Sequence, residues 1–458
     1  MHLILNSYTY YYFLGIGGIG MSAIARYLNQ AGNRVLGYDR VRTPLCSELE
    51  REGMPIHYED CIENIPSELT PENTLVIYTP AIPKDSAQLN YFKTKEYTLN
   101  KRSEILGLIT SDSYNISVAG THGKTTTSAL ISHLLHHSGV HFGAFLGGLS
   151  TNLGSNYFNS CRPNEKAVTV TEADEFDRSF LTLSPNLAVI TSMDADHLDI
   201  YGTGDELKKS FFDFINKIEP QGKLFLKYGL SHPNIDEISV FTYGINQGDY
   251  KAVNVRVENG WFLFDFETTE ISWPNLKLGI PGNHNIENAL AAIAVALEMN
   301  LNREQITNGL KTFKGVKRRF EFICREPDFV YIDDYAHHPT ELEAFIKSVR
   351  MLYPDKKITG VFQPHLYSRT KDFADGFAKS LSLLDEAILL DIYPARELPM
   401  EGVTSDIIFD KITGNRKHKA TKENVLELLK TLDPEVLVTM GAGDIDTLVT
   451  PINTLLKP

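Results

Sequence analysis

The sequence predicts an α/β protein of three parallel-sheet domains, and three observations carry this. Strand-like runs alternate with helical patterns, as in YYFLG, MSAIARYLNQAG and RVLGYD, the mark of a parallel sheet with crossover helices. Two glycine-rich turns, GIGGIG and GTHGKT, each follow a strand and open a helix. Beyond residue 315, four further strands end in loops that gather Asp, His and Arg. The 458 residues, at about 100 to 200 per domain, leave room for about three domains. We place them at 1–106, 107–314 and 315–458, and no repeat of solenoid period is present.

Composition narrows the function. With 44 Lys+Arg against 58 Asp+Glu the formal charge is -14, which argues against a nucleic-acid partner, because phosphate-backbone affinity needs clustered cations in excess. The longest apolar stretch, Ala289 to Met299, falls short of the roughly 20 residues that span a bilayer, so no membrane partner is expected. The opening MHLILNSYTYYYFLG has no basic region and no small-residue cleavage site, which points to a cytoplasmic protein. Cys46, Cys61, Cys161 and Cys324 are far apart and read as packing thiols rather than a disulfide framework or zinc site.

In the first segment Gly15, Gly17 and Gly20 match GxGxxG between a strand and a helix, and Asp39 closes the next strand about 20 residues on. Glycines there let the backbone approach a diphosphate, and the helix N-terminus offers unpaired N–H groups. The alternative is that they only permit close strand-to-helix packing. Taken alone, the fingerprint suggests an NAD-dependent oxidoreductase.

In the middle segment ISVAG runs into THGKTTTSALISHLL, so that Gly120, Gly123, Lys124 and Thr125 form a phosphate loop. Backbone N–H groups would wrap phosphate oxygens, Lys124 would meet the terminal phosphates of ATP, and the Thr125 hydroxyl would reach Mg²⁺. Val118 stands where GxxxxGK[ST] has its first glycine. Two following strands end in carboxylates, Glu172, Asp174, Glu175 and Asp177 after one, Asp194, Asp196 and Asp199 with His197 after the other. In a parallel sheet these ends share an edge with the phosphate loop, where hard oxygen ligands hold Mg²⁺ and a neutral His completes a second site. His133, His136 and His137 read as an exposed, structural helix face. Asn285 and Asn288, in the first turn of an apolar helix, suit either an adenine edge or a helix cap. AVNVRV and WFLFDFE around Glu258-Asn259-Gly260 read as a hairpin.

In the third segment Asp333, Asp334, His337, His338, His365, Arg369 and Arg396 follow strand ends and are expected to face one cleft. Arg319, at the junction of the second and third domains, is placed to stabilise a transferring phosphate, and its neighbour Arg318 is as readily a surface residue.

The ordered motifs GIGGIGMSAIA, GTHGKTTT, EADEFD, DADHLDIYG, PGNHNIENA, KRRFE, DDYAHHPTE, FQPHLYSRT, LDIYPARE and MGAGDI resemble the Mur ligases from about Tyr11 to Val449, and among them the branch that adds L-alanine. The resemblance implies an N-terminal Rossmann-like domain for a UDP-sugar, a central P-loop ATPase-type mixed sheet, and a C-terminal Rossmann-like domain that receives the amino acid. It places Gly15, Gly17, Gly18 and Gly20, with Asp39, at the UDP-sugar. Gly120, Thr121, His122, Gly123, Lys124, Thr125 and Thr126 would hold the ATP phosphates. Thr125 and Glu172 would hold one Mg²⁺ and His197 a second. Asn285 and Asn288 would read adenine, Arg319 and Asp334 would meet nucleotide or reacting phosphate, and Tyr335, His337 and Arg369 would position the muramoyl carboxylate and the incoming alanine.

The implied partners are UDP-N-acetylmuramate, L-alanine and ATP, with the chain a monomer or homodimer. The implied reaction moves the γ-phosphoryl group to a carboxylate, then lets the alanine amine attack the acyl phosphate, with His337 or His338 as the base. The nearest alternative is a sibling that adds a preformed peptide to the same sugar nucleotide. Leu366 in QPHLYSRT replaces a frequent Arg, and Thr79-Pro80 stands where many relatives have two serines. No counterpart of the metal-bridging carbamylated Lys of several siblings is evident, which agrees with use of His197.

Overall fold

The computed structural model describes residues 7–162, 166–194, 198–395, 397–414 and 416–457, and of residues 198 and 199 the backbone alone. It divides into two compact units, one of Met1–Ala252, Glu267–Ile271 and Glu287–Gly309, the other of Val253–Phe266, Ser272–Ile286 and Leu310–Pro458.

The first unit holds two sheets. β1 (Tyr10–Leu14), β2 (Arg34–Tyr38), β3 (Ile56–His57), β4 (Thr74–Tyr78) and β5 (Thr98–Lys101) pair in the order β3-β2-β1-β4-β5, all parallel. The run Tyr-Tyr-Tyr-Phe-Leu becomes a central strand because both of its faces are covered. The two-residue period sends Tyr11 and Phe13 into one core and Tyr12 and Leu14 into another.

The second sheet contains β6 (Tyr114–Ala119), β7 (Gly143–Ser150), β8 (Ser155–Asn159), β9 (Val168–Ala173), β10 (Leu187–Ile190), β11 (Lys223–Lys227), β12 (Ser239–Ile245) and, as far as Ala252, β13 (Tyr250–Glu258). Its order within this unit is β13-β12-β11-β10-β6-β9-β7-β8. β6 lies parallel between β10 and β9, so the carboxyl ends of all three open on one edge. The helix Ile19–Gln30, which follows β1, ties the sheets together. Arg26, 5% exposed, pairs with Glu48 and Glu52 and donates to Asn156 Oδ1 at 2.5 Å, while Asn156 Nδ2 donates to Ile19 O at 2.5 Å and Ser22 Oγ at 2.9 Å. On the helix Lys124–His137 the structure corrects one expectation: His136 and His137 are exposed, but His133 is buried. The helix is covered on most sides, and burial pushes the His133 imidazole down to about 4.

In the second unit β14 (Trp261–Glu267) follows Asn259 and Gly260, both left-handed (φ +51° and +76°), as the Asn-Gly turn requires, and β15 (Ser272–Leu278) comes next. β16 (Glu321–Arg325), β17 (Val330–Asp334), β18 (Ile358–Phe362), β19 (Glu386–Leu389), β20 (Arg416–Lys419) and β21 (Val436–Met440) form a sheet of order β16-β17-β21-β18-β19-β20, in which β16 alone is antiparallel. The four strands with unusual loops, β17, β21, β18 and β19, are therefore adjacent and point the same way. Cys46 and Cys324 are buried, Cys61 and Cys161 partly so, and all four are free thiols. Among the described residues no helix is long and apolar enough to cross a membrane.

Candidate active site

The first glycine turn is shaped by what surrounds it. Gly15 is left-handed (φ +86°), and a Cβ on Gly17 would lie 2.3 Å from Cys46 Sγ, so neither position accepts a larger residue without movement. Gly18 begins the helix Ile19–Gln30 with no side-chain cap, which leaves the first N–H groups presented outward. Asp39 braces the turn: Oδ2 accepts from Gly17 N at 2.8 Å and Oδ1 from Val41 N at 3.2 Å. A Cβ on Gly20 would stand 2.9 Å from Arg102 Nη1, so a guanidinium sits beside the helix start. Arg102 also lies 3.6 Å from Asp174 and lines one cleft with Glu172, Asp174 and Phe180. This cleft lies at the acidic end of β9. Nothing in KRSEI signals Arg102 as a site residue; its role needs the fold.

The phosphate loop occupies the carboxyl end of β6. Gly120 is left-handed (φ +134°), and a Cβ there would meet Thr191 Oγ1 at 2.1 Å; Gly123 (φ +86°) faces Asn288 Oδ1, 2.7 Å from where its Cβ would stand. The end of β10 buttresses the loop: Ser192 Oγ accepts from His122 N at 2.7 Å, Thr121 Oγ1 accepts from Asp194 N at 3.1 Å, and His122 Nε2 lies 3.6 Å from Asp194 Oδ2. Thr126 is buried next to Thr125. Lys124 Nζ donates to Gly120 O at 2.6 Å and to both oxygens of Glu175 at 2.9 and 2.8 Å. Burial pulls the ammonium down, but the carboxylates of Glu175, Asp174 and Glu172 outweigh it and hold Lys124 above its ordinary value. Burial raises Glu172 and Glu175 above the usual carboxylate range, partly offset by Lys124.

The Thr125 hydroxyl donates to Glu172 Oε1 at 3.0 Å, and Gly147 N donates to Oε2 at 2.9 Å. A hydroxyl and a carboxylate oxygen in contact at the mouth of a phosphate loop fit a small, hard divalent cation. His197 and Asp196 lie outside the described residues, as does the side chain of Asp199. Gly147 had no sequence signal: on β7, it matters because β7 pairs beside β9.

The two asparagines separate in environment. Asn288 Oδ1 accepts from Thr127 Oγ1 at 3.1 Å, which sets it behind the loop. Asn285 donates to Pro281 O at 2.6 Å within the other unit. The helix begins at Asn283, so neither residue occupies the cap position.

The second unit carries its own cluster at the ends of β17, β21, β18 and β19. Tyr335 lies between two guanidinium groups, Arg318 at 5.2 Å and Arg319 at 5.1 Å from its ring centre. Arg318, as readily a surface residue on sequence grounds, is a structural tie: it pairs with the buried Asp333 at 3.2 Å and donates to Gly441 O at 2.7 Å. Asp333 thus points inward rather than into the cleft, its Oδ1 also accepting from Thr439 Oγ1 at 2.5 Å. Asp334 is a buried carboxylate that accepts from Phe320 N and Ala336 N, each at 2.7 Å, and burial raises it to about 7 against the pull of Arg319. It clasps the linker to β17.

His337 Nδ1 donates to Tyr335 O at 2.9 Å, which fixes the tautomer and leaves Nε2 as an acceptor. Burial lowers His337 to about 4, with Glu341 opposing and Arg369 assisting. Glu341, one helical turn on, accepts from His337 N at 3.0 Å and lies 3.8 Å from Arg319; its spacing from His337 was the available sequence signal. His365 stacks on Tyr393 at 5.8 Å and meets Arg369 Nη1 at 3.5 Å. His338 stands apart: it caps the helix Pro339–Leu352, accepting from Thr340 N, with its ring against Phe373. Leu366, in place of the frequent Arg, is left-handed (φ +69°), and Arg396 lies outside the described residues.

Three family models match the chain: "Mur ligase family, catalytic domain" over residues 10–114, "Mur ligase middle domain" over 118–296, and "Mur ligase, glutamate ligase domain" over 318–443. A UDP-N-acetylmuramate–L-alanine ligase of Flavobacterium psychrophilum is 52% identical over 449 residues, covering 98% of each chain. A solved UDP-N-acetylmuramate–alanine ligase from Thermotoga maritima superimposes with a TM-score of 0.81 at 28% identity, covering 97% of this chain and 98% of its own. A murein peptide ligase from Psychrobacter arcticus superimposes with a TM-score of 0.70 at 21% identity, covering 98% of both chains, a likeness of fold.

Proposed function

The chain belongs to the Mur ligase family, and on that footing we propose that it joins the carboxylate of UDP-N-acetylmuramate to L-alanine at the expense of ATP, in the cytoplasmic synthesis of peptidoglycan precursor. The observation that supports it best is the full-length likeness to an enzyme of that name, joined to a phosphate loop whose Thr125 touches Glu172. The lobes at 1–106, 107–314 and 315–458 would take the sugar nucleotide, ATP and the amino acid.

A carboxylate carbon resists nucleophiles because its charge is already spread over it. Transfer of the γ-phosphoryl of ATP to the lactoyl carboxylate makes an acyl phosphate and ADP, the alanine amine adds to its carbonyl carbon, and the tetrahedral adduct expels phosphate, which leaves with the amine's proton to give the neutral amide. Gly15, Gly17, Gly18 and Gly20, with the positive helix start, take the UDP diphosphate, and Arg102 lies on the path toward Glu172. The loop from Gly120 to Thr126 takes the ATP phosphates, with Lys124 and Arg319 offsetting charge that builds in transfer. Thr125 and Glu172 would hold Mg²⁺, whose contribution is to neutralise phosphate charge, and His197 would serve a second ion. Asn285 and Asn288 would face adenine.

Tyr335, His337 and Arg369 would orient the reacting carboxylate and the amine. Neutral His337, with Nε2 unprotonated, suits acceptance of a hydrogen bond from the amine; a group held near 4 is too weakly basic to carry the proton away. His338 is committed to its helix cap.

The test is phosphate release from ATP across a panel of amines. Release should require both UDP-N-acetylmuramate and L-alanine; equal release with D-glutamate or a tripeptide would overturn the assignment, and so would turnover that consumes NADH instead.

A further inference from the structure

Lys124 is the one cation in the phosphate loop, yet its ammonium is fully engaged by the protein. An ammonium has three donors. Here they meet Gly120 O at 2.6 Å and the two oxygens of Glu175 at 2.9 and 2.8 Å, so none is left for a phosphate oxygen. Glu175 is held firmly in this posture. Its side chain is wholly buried, and its backbone carbonyl accepts from Tyr201 Oη at 2.6 Å. The turn that presents it has two left-handed residues, Asp177 (φ +52°) and Arg178 (φ +55°), with Arg178 N bonded to Glu175 O at 2.9 Å. The neighbouring carboxylate Glu172 is occupied differently, by Thr125 and Gly147, so the two acids of EADE divide the work.

We propose that Glu175 is a latch on the phosphate loop: it holds Lys124 folded back in the resting protein, and arriving phosphates must displace it before the lysine can serve them. The idea rests on the reading of GTHGKT as an ATP loop. Glu175 acts through Lys124, so it is a positioning residue, and nucleotide binding carries the cost of breaking a buried ion pair. Freed from Lys124, the carboxylate would sit beside Asp174 and Glu172, which keeps the exchange reversible once phosphate leaves: the lysine returns to it.

The latch makes a prediction of unusual sign, since removing a buried site residue should improve binding. ATP affinity is measured by calorimetry on the full chain, with chelator present so that no metal contributes, for wild type, Glu175→Gln and Glu175→Asp. Glutamine removes the charge and aspartate shortens the reach. Glu175→Gln should bind ATP about three- to tenfold more tightly, the scale of one charge-assisted hydrogen bond, with aspartate in between and affinity for UDP-N-acetylmuramate unchanged. Should glutamine prevent folding, as judged by circular dichroism, the aspartate variant decides alone. Equal or weaker ATP binding in a folded variant overturns the latch while leaving the ligase reading intact. Failure of the wild type to bind ATP even with Mg²⁺ restored overturns both.

Discussion

Gly147→Ala tests the metal site without replacing any proposed ligand. Gly147 is exposed on β7, and its N–H donates to Glu172 Oε2 at 2.9 Å. An added Cβ would stand 2.3 Å from that oxygen and 2.6 Å from both Cδ and Oε1, so the carboxylate must swing away from Thr125 as well. Gly147 does not adopt the left-handed conformation, so alanine meets no backbone strain, and the loss of stability should be confined to the displaced Glu172 hydrogen bonds, about 1 to 3 kcal/mol. Disturbing a group that orients a metal ligand typically weakens the metal by about 10- to 100-fold, or about 1.4 to 2.7 kcal/mol. The assay is a Mg²⁺ titration of ligase activity beside a urea unfolding curve. A Mg²⁺ midpoint within about twofold of wild type would refute the role given to Glu172 and to the β7–β9 pairing that supports it.

Three further outcomes are expected. Lys124→Ala should abolish turnover while UDP-N-acetylmuramate still binds in equilibrium dialysis, because the glycine turn and the phosphate loop sit on different sheets; loss of sugar binding in a folded variant would contradict this. Arg26→Ala should lower unfolding free energy by about 1 to 3 kcal/mol in urea, since it leaves the buried Asn156 Oδ1 without its donor where the two sheets of the first unit are tied, while the part-exposed Glu48 and Glu52 turn to water. For His133, held near 4 against an ordinary 6.5, the unfolded chain takes up its proton first as pH falls, so stability present above about 6.5 is lost toward about 4. Between about pH 7 and 5, therefore, a His133→Gln variant should gain about 2 kcal/mol relative to wild type, and parallel curves would exclude a buried neutral imidazole.

Local patterns determined the fold class, the two glycine turns, the Asn-Gly hairpin and the strand ends that carry chemistry, because each depends on neighbours within a few residues: a φ angle only glycine tolerates, or a period of two that fills both faces of a strand. Tertiary structure decided what those side chains do. Pairing of β6 with β9 and β10 brought Glu172 to Thr125 and Ser192 to His122, and set Glu175 on Lys124, across separations of 47 to 70 residues. The same long-range packing buried His133, turned Asp333 inward onto Arg318, spent His338 on a helix cap, and brought forward Arg102 and Gly147, which no motif marks. Burial and partners are properties of the assembled sheet, since a carboxylate or imidazole acquires its charge state from atoms that the chain delivers only by folding.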